Sequence, residues 1–460
     1  MISAAVARIE YFFSGFVFSF LKDFITFADV FRIKGKTSAE VAQLVEHQPS
    51  KLNVASSNLV FRSNDYRKPP EYISGGFFHI PAPQQPAHRT QTQQKTNPMS
   101  RTTPSPVAPS LLAWYARHAR ALPWRETNDP YRIWISEIIL QQTRIAQGTA
   151  YYLRFTERFA DVVSLAQAPL DEVMKHWQGL GYYTRARNLH AAAKIISERH
   201  EGSFPRRYPD VRALPGVGDY TAAAICSIAY RLPVAAVDGN VYRVLSRYFD
   251  LDTPVDTTEG KRLFARLAEE QLDRNQPGQY NQALMDFGAL QCVPGQPDCT
   301  ECPLRTECQA FANGTVLSRP VKSKRPKLKT RYLHYFCIEN GEKIAVRQRT
   351  GKDIWQGLYE FPGFETRQEI PPEAILHEER FTRLVRAPGK VELREISAPV
   401  RHILSHQQLY IRFYRLQLHE EHPTDQTPTN TGYAYLTAKE LSALAFPRPI
   451  AAYLESIELF

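Results

Sequence analysis

LPGVGDYTAAA, residues 214–224, is the stretch on which the reading of this chain turns. Pro215 with Gly216 and Gly218 makes a tight turn, and the alanine run behind it starts a helix. Backbone N–H groups left unpaired at such a helix N-terminus form a nest for an anion, and a nucleic-acid phosphate suits it. On both sides the apolar residues recur three and four apart. LLAWYARHAR (111–120), SEIILQQTRIAQGTAYYLRFTERF (136–159) and TAAAICSIAYRL (221–232) all show this period, and short Gly, Pro or Asp turns separate them. Alternating strand patterns are scarce between 111 and 312, so this region is expected to be all-α.

Two carboxylates in that region sit in opposite settings. Asp238, in VDGNVYRVLSRYF (237–249), precedes an amphipathic helix and reads as its N-cap. The positive end of a helix holds a carboxylate ionised, a state suited to steadying a developing cation. Glu137 lies among Ile135, Ile138, Ile139 and Leu140. Burial there would raise its pKa and make it a proton donor near neutral pH.

Cys292, Cys299, Cys302 and Cys308 follow with spacings of six, two and five residues, and only Cys226 and Cys337 lie elsewhere. Such a cluster in a Cys-poor chain points to a structural metal site in a reducing compartment. Four thiolates can hold zinc or an iron–sulfur cluster, and spacing alone does not choose between them.

Composition bounds the rest. The chain has 460 residues, 23% charged and 43% hydrophobic, which excludes collagen, coiled coil and wholesale disorder and allows two or three domains. A net charge of +10 is compatible with a polyanionic partner. The apolar run FFSGFVFSFL (12–21) is too short to span a bilayer and fits a signal peptide poorly. Residues 69–109 are rich in Pro, Gln and Thr and read as disordered linker. The segment 39–63 resembles a translated transfer-RNA gene, so residues 1–109 are expected to be a disordered or spurious extension, with Met99 as the true start.

The turn motif, the downstream Asp and the C-x6-C-x2-C-x5-C loop together resemble the endonuclease III superfamily of helix–hairpin–helix base-excision glycosylases. Within it the MutY-type adenine DNA glycosylases are the most similar. LPWR (122–125), DPYRIWISEIILQQT (129–143), HWQGLGYYTRARNL (176–189) and NQALMDFGALQC (281–292) carry the resemblance further. It implies a four-iron, four-sulfur cluster ([4Fe–4S]) on the four cysteines. Relatives that cleave the DNA backbone have a lysine where this chain has Tyr220, and they lack a glutamate at the place of Glu137. The resemblance therefore implies a monofunctional glycosylase acting on adenine opposite 8-oxoguanine or G in double-stranded DNA. Glu137 would protonate the leaving base, Asp238 would stabilise the sugar cation, and Tyr220 would assist them. Leu122, Trp124, Arg125 and Gln282 would line the pocket for the flipped base, with Asn240 ordering the acid–water network. Gln142 and Tyr182 match the wedge residues that fill the emptied stack, and Gly216 and Gly218 would face phosphate.

Residues 316–331 contain seven Lys or Arg and no acid, and read as a solvated basic linker. Beyond it YLHYFCIE, EKIAVRQR, YEFPGF, LYIRFYRLQL and YAYLT alternate like strands, with a helix expected near 437–444, so residues 332–460 should form an α+β domain. IWQGLYEFPGF (354–364) resembles the Nudix-like domain appended to MutY-type enzymes, and the magnesium-binding glutamate run of Nudix hydrolases is absent. The domain should bind and not hydrolyse. In RHILSHQQL the family's Phe-Ser-His lesion-reading motif becomes Leu404, Ser405 and His406. The expectation is thus a multidomain protein, with an all-α catalytic domain over 110–315 and a lesion-recognition domain after the linker. It is expected to be monomeric, free of membrane, cytoplasmic and DNA-associated, as in bacteria. Two competing functions are an endonuclease III-like glycosylase/lyase for oxidised pyrimidines and a non-catalytic damage-binding module.

Overall fold

The structure is a computed structural model that describes residues 107–323, 328–385, 391–419 and 432–459. Residues 1–106, and with them Met99 and most of the expected extension, lie outside the described part; its last three residues, 107–109, instead open a helix, with Val107 and Ala108 buried in the helical core.

The first part is helical. In chain order it contains α1 (Val107–His118), a 3-10 turn (Pro123–Arg125), α2 (Pro130–Leu140), α3 (Ile145–Arg158), α4 (Val162–Gln167), α5 (Leu170–His176) and α6 (Thr184–Arg199). There follow α7 (Tyr208–Arg212), α8 (Asp219–Tyr230), α9 (Gly239–Tyr248), α10 (Thr258–Gln271), α11 (Pro277–Leu290) and α12 (Gln309–Ala312). The starts are set by local chemistry. Asp129 caps α2 by accepting from Tyr131 N with Pro130 in the first turn, Thr257 caps α10, and an Asp161–Ser164 capping box opens α4.

Two apolar clusters fill this part. One is built on Trp134, Phe155, Phe159 and Trp177, the other on Trp114, Phe264, Tyr280 and Phe287. Helix α8 packs against α2 on one side and α11 on the other, so it joins the two. Close approach needs glycine on α11. A Cβ at Gly278 would stand 2.6 Å from Ser227 O, and one at Gly288 would stand 2.6 Å from Asn240 Cβ.

The segment expected as a solvated linker is partly bound instead. Arg319 pairs with Asp250 at 2.9 Å, Val255 N donates to Val321 O at 3.1 Å, and Ser323 Oγ bonds to Asp256. Basic residues here find acidic partners on the helical part, so residues 316–323 form a strap, and the next sheet already begins at Lys329.

That sheet is mixed and eight-stranded, in the order β3-β2-β1-β7-β5, with β4 on β1, β6 on β7 and β8 on β2. The strands are β1 (Lys329–Asn340), β2 (Lys343–Gln348), β3 (Tyr359–Glu360), β4 (Gly363–Thr366), β5 (Val391–Ile396), β6 (Val400–Ile403), β7 (Gln407–Leu418) and β8 (Ala434–Thr437). Central β1 and β7 run parallel from Lys329↔Gln407 to Glu339↔Gln417. The period of two sends Leu333, Tyr335, Cys337, Ile411 and Phe413 to one face, under α15 (Ala438–Ser442) and α16 (Arg448–Ser456). Phe336, Ile338, Tyr414 and Leu416 go to the other, under α13 (Pro372–Ile375) and α14 (Glu379–Val385). Helices α13, α14 and α16 and strands β5 and β6 had no signal strong enough to be read from the sequence.

The sheet part seats directly on the helical part. Leu358 and Ala445 are buried in the Trp134–Trp177 cluster, and Trp355 packs against that cluster and against the sheet's own core. Asp171 accepts from Gln348 Nε2 at 2.9 Å and from the Tyr359 hydroxyl at 3.3 Å, and Lys175 Nζ donates to Leu444 O at 3.0 Å.

Candidate active site

Glu137 projects from the second half of α2, Tyr220 from the first turn of α8, and Asp238 from the N-cap of α9. These three elements are neighbours, and their side chains interact: the Tyr220 hydroxyl is hydrogen-bonded with Glu137, and both feel the charge of Asp238. All three remain partly accessible while being densely surrounded by protein. Burial pushes the Glu137 carboxyl up to about 7, and Asp238 adds to the rise. The Tyr220 hydrogen bond and Arg125 oppose it. The hydroxyl of Tyr220 also lies 3.3 Å from Met285 Sδ.

Asp238 departs from expectation in one respect. Its cap geometry is as read: Oδ1 accepts from Asn240 N at 2.9 Å and Val241 N at 2.8 Å, and Oδ2 from Asn240 Nδ2 at 2.7 Å. Burial nevertheless outweighs these donors, and its pKa lies above the ordinary aspartate value. A helix N-terminus favours the anion, but burial withholds water from it.

Asn240 does more than hold Asp238. Its Oδ1 accepts from Arg243 Nη2 at 2.8 Å, and Arg243 Nε donates to Cys292 O at 2.8 Å. One guanidinium so joins the Asp238 cap to the first cysteine. Arg247 continues this, with Nη1 3.4 Å from Cys292 Sγ and 2.8 Å from Val293 O. Neither arginine was singled out from the sequence, where both read as ordinary residues of an amphipathic helix.

The residues expected around the base fall into two groups. Leu122 and Trp124 are buried in the helical core, with Trp124 edge-on to Tyr152 at 5.2 Å. Arg125 and Gln282 are held in polar networks. Arg125 makes a two-toothed pair with fully buried Asp286, at 2.6 and 2.7 Å, which Arg120 shares. The Tyr115 hydroxyl donates to Gln282 Oε1 at 2.8 Å. Asp286 and Tyr115 were also missed, since their partners lie more than a hundred residues away. A separate cavity of about 570 Å³, lined by Asn128, Arg206, Tyr230 and Arg231, contains none of the expected site residues.

Gln142 and Tyr182 share an unusual backbone. Their φ angles are +58° and +48°, in the left-handed region that non-glycine residues seldom enter, and Tyr182 is 43% exposed. In the hairpin Gly216 has φ +77°, and a Cβ there would lie 2.8 Å from Asn188 Cβ. Gly218 caps α8 with open space about it, and leaves the first N–H groups of the helix to a ligand. On the sheet part Leu404, Ser405 and His406 form the β6–β7 turn, closed by Leu404 N to Gln407 O at 2.8 Å. Ser405 Oγ lies 3.1 Å from His406 Nδ1. Leu404 packs on the sheet's core, a place phenylalanine would also fill.

The four cysteines form no disulfide. Cys302 feels the charge of the other three, so the thiols are gathered at one place. Among the described residues no three metal-ligating groups converge as a single ion requires. Four thiols gathered in one loop are a donor set of the kind that zinc or an iron–sulfur cluster takes.

Two family models match the chain: "HhH-GPD superfamily base excision DNA repair protein" over residues 135–270 and "NUDIX domain" over 334–456. An adenine DNA glycosylase from Buchnera aphidicola (subspecies Baizongia pistaciae) is 34% identical, over 66% of this chain and 83% of its own. The Homo sapiens adenine DNA glycosylase is 31% identical, over 73% of this chain and 71% of its own. With these matches spanning both the helical part and the sheet part, the chain belongs to the adenine DNA glycosylases of the helix–hairpin–helix base-excision repair superfamily.

Proposed function

We propose that the protein removes adenine paired with 8-oxoguanine or G from double-stranded DNA and leaves an abasic site. The observation that carries this is the meeting of Glu137, Tyr220 and Asp238, from three separate elements, as partly accessible side chains that act on one another. Adenine leaves poorly as an anion, so its N7 must gain a proton as the C1′–N9 bond breaks. Glu137, with a carboxyl lifted to about 7, is protonated often enough near neutral pH to supply it. Asp238, held by three N–H donors, steadies the oxocarbenium-like sugar until water adds at C1′. Tyr220 has no amine with which to form a Schiff base, so the reaction stops at the abasic site.

Cys292, Cys299, Cys302 and Cys308 would hold a [4Fe–4S] cluster, which when bound would tie the 292–308 loop to itself beside the end of α11. Gly216 and Gly218 present N–H groups to a phosphate, Gln142 and Tyr182 enter the stack, and Ser405 with His406 reads the lesion edge. Residues 332–460 thus act as the recognition domain and 110–315 as the catalytic one.

Single-turnover excision on duplexes with A opposite 8-oxoguanine, G and T tests the reading. Product should require alkali or heat to become a strand break, and A opposite 8-oxoguanine should react fastest. Strand nicking without alkali would point to the lyase alternative. Iron and acid-labile sulfide analysis tests the cluster, and zinc in their place would overturn it.

A further inference from the structure

Arg185, on the first turn of α6, is 9% exposed, and among the described residues no carboxylate pairs with it. Its guanidinium is spent on backbone carbonyls instead. Nη1 donates to Ile138 O at 2.8 Å, Ile139 O at 2.8 Å and Gln141 O at 2.7 Å. Nη2 donates to Leu180 O and Gly181 O, both at 3.2 Å. The first three oxygens lie at the C-terminal end of α2, where helix carbonyls lack intrahelical partners and the helix dipole is negative. The other two lie in the turn before Tyr182. The guanidinium also faces the Trp177 ring at 5.1 Å and the Tyr182 ring at 5.8 Å.

A buried, unpaired guanidinium is an expensive way to fill space, and an apolar side chain of the same length would pack there at lower cost. What an apolar side chain cannot do is bind both loops at once. Gln142 follows the third oxygen by one residue, and Tyr182 follows the fifth by one. Both are held in the left-handed region, a conformation that persists only where the surroundings impose it.

We infer that Arg185 is a positioning residue that locks the loops carrying Gln142 and Tyr182 to each other and to the end of the Glu137 helix, so that both side chains enter the DNA stack together. It acts on extrusion of the base and not on proton transfer. The inference rests on the glycosylase reading above and deepens it.

The test compares wild type with R185M, which keeps length and loses every donor, and with R185K, which keeps the charge and some donors. Two substrates separate extrusion from chemistry: adenine opposite 8-oxoguanine, and adenine opposite an abasic tetrahydrofuran gap, where no base pair has to be broken for extrusion. A third duplex carries 2-aminopurine at the target position and reports unstacking by its fluorescence. R185M should lose about 100-fold on the paired substrate, the scale of a misplacement of about 1 Å. It should lose far less on the gapped one and show a weakened 2-aminopurine rise, with R185K between. Equal losses on both substrates, or no loss, would overturn the inference. If R185M does not fold, R185K combined with Q142A decides: less than additive loss supports a shared role, additive loss sinks it. Wild-type failure to excise either substrate would defeat the glycosylase reading alone, since the 2-aminopurine comparison would still judge Arg185.

Discussion

The Tyr115 hydroxyl donates to Gln282 Oε1 at 2.8 Å, and this one bond decides which end of the Gln282 amide is left for a base. With its oxygen engaged, Gln282 presents Nε2, a donor, and adenine offers ring-nitrogen acceptors where guanine carries an N1–H. Tyr115→Phe should let the amide turn. Adenine excision should fall about two- to tenfold, the value of one hydrogen bond, with little change in melting temperature. Single-turnover rates on adenine and on purine analogues lacking the exocyclic amine would read the loss of discrimination.

Glu137 must be protonated to act, and its carboxyl lies at about 7. The single-turnover rate should therefore hold below that pH and fall as pH rises through it. Glu137→Gln should lose about 10²–10⁴-fold in excision while retaining duplex binding, measured by gel shift at matched salt.

The same carboxyl weighs on stability. Its folded pKa is raised, so the folded state binds a proton that the unfolded state has released above about 4.5. Stability then declines as pH climbs from there to about 7. Glu137→Gln removes this burden and should stabilise the protein by as much as about 3 kcal/mol at pH 8, and hardly at all at pH 4. Thermal melts at the two pH values would show it; equal shifts would contradict the buried, neutral acid.

Asp286 is fully buried between Arg120 and Arg125. Asp286→Ala strands two guanidinium groups and should destabilise by about 3–5 kcal/mol, read as a lower denaturant midpoint. Gly288→Ala should act on the site from outside it. The new Cβ would meet Asn240 Cβ at 2.6 Å and Asn240 O at 3.0 Å, forcing α9 from α11. A loss of about 1–3 kcal/mol is expected, with excision impaired beyond what stability explains because Asn240 orders Asp238.

Ser405→Ala should narrow the preference for 8-oxoguanine over G as the opposite base and leave excision opposite G nearly unchanged. The ratio of the two single-turnover rates is the measurement. An unchanged ratio would move lesion reading away from the β6–β7 turn.

Motifs whose chemistry is local were legible in the sequence. Asp238 caps the helix it precedes, the LPGVG turn opens α8, and the cysteines lie within one loop, so a few neighbouring residues carried each reading. The long strands showed themselves by alternation, most plainly β1 and β7. What stayed hidden depends on partners far along the chain. Arg125 and Asp286 are separated by 161 residues, and neither betrays the other by spacing. Arg185 spends its charge on carbonyl groups, which every residue has, so no side-chain pattern marks it. The basic run at 316–331 misled for the same reason: Asp250 and Asp256, which hold it, are not its neighbours in sequence.

Leu358 and Ala445 lie in the interior of the helical half although the chain contributes them from the sheet half. A shortened protein ending at the strap would therefore carry an open apolar socket where these side chains belong, ringed by Met174 and Arg187, which flank Gly357. Such a fragment would be prone to self-association, and a defect in its catalysis would report a damaged interior as much as a missing reader of the lesion. Dissecting the two halves cleanly calls for substitutions at Ser405 and His406, with the seam left whole.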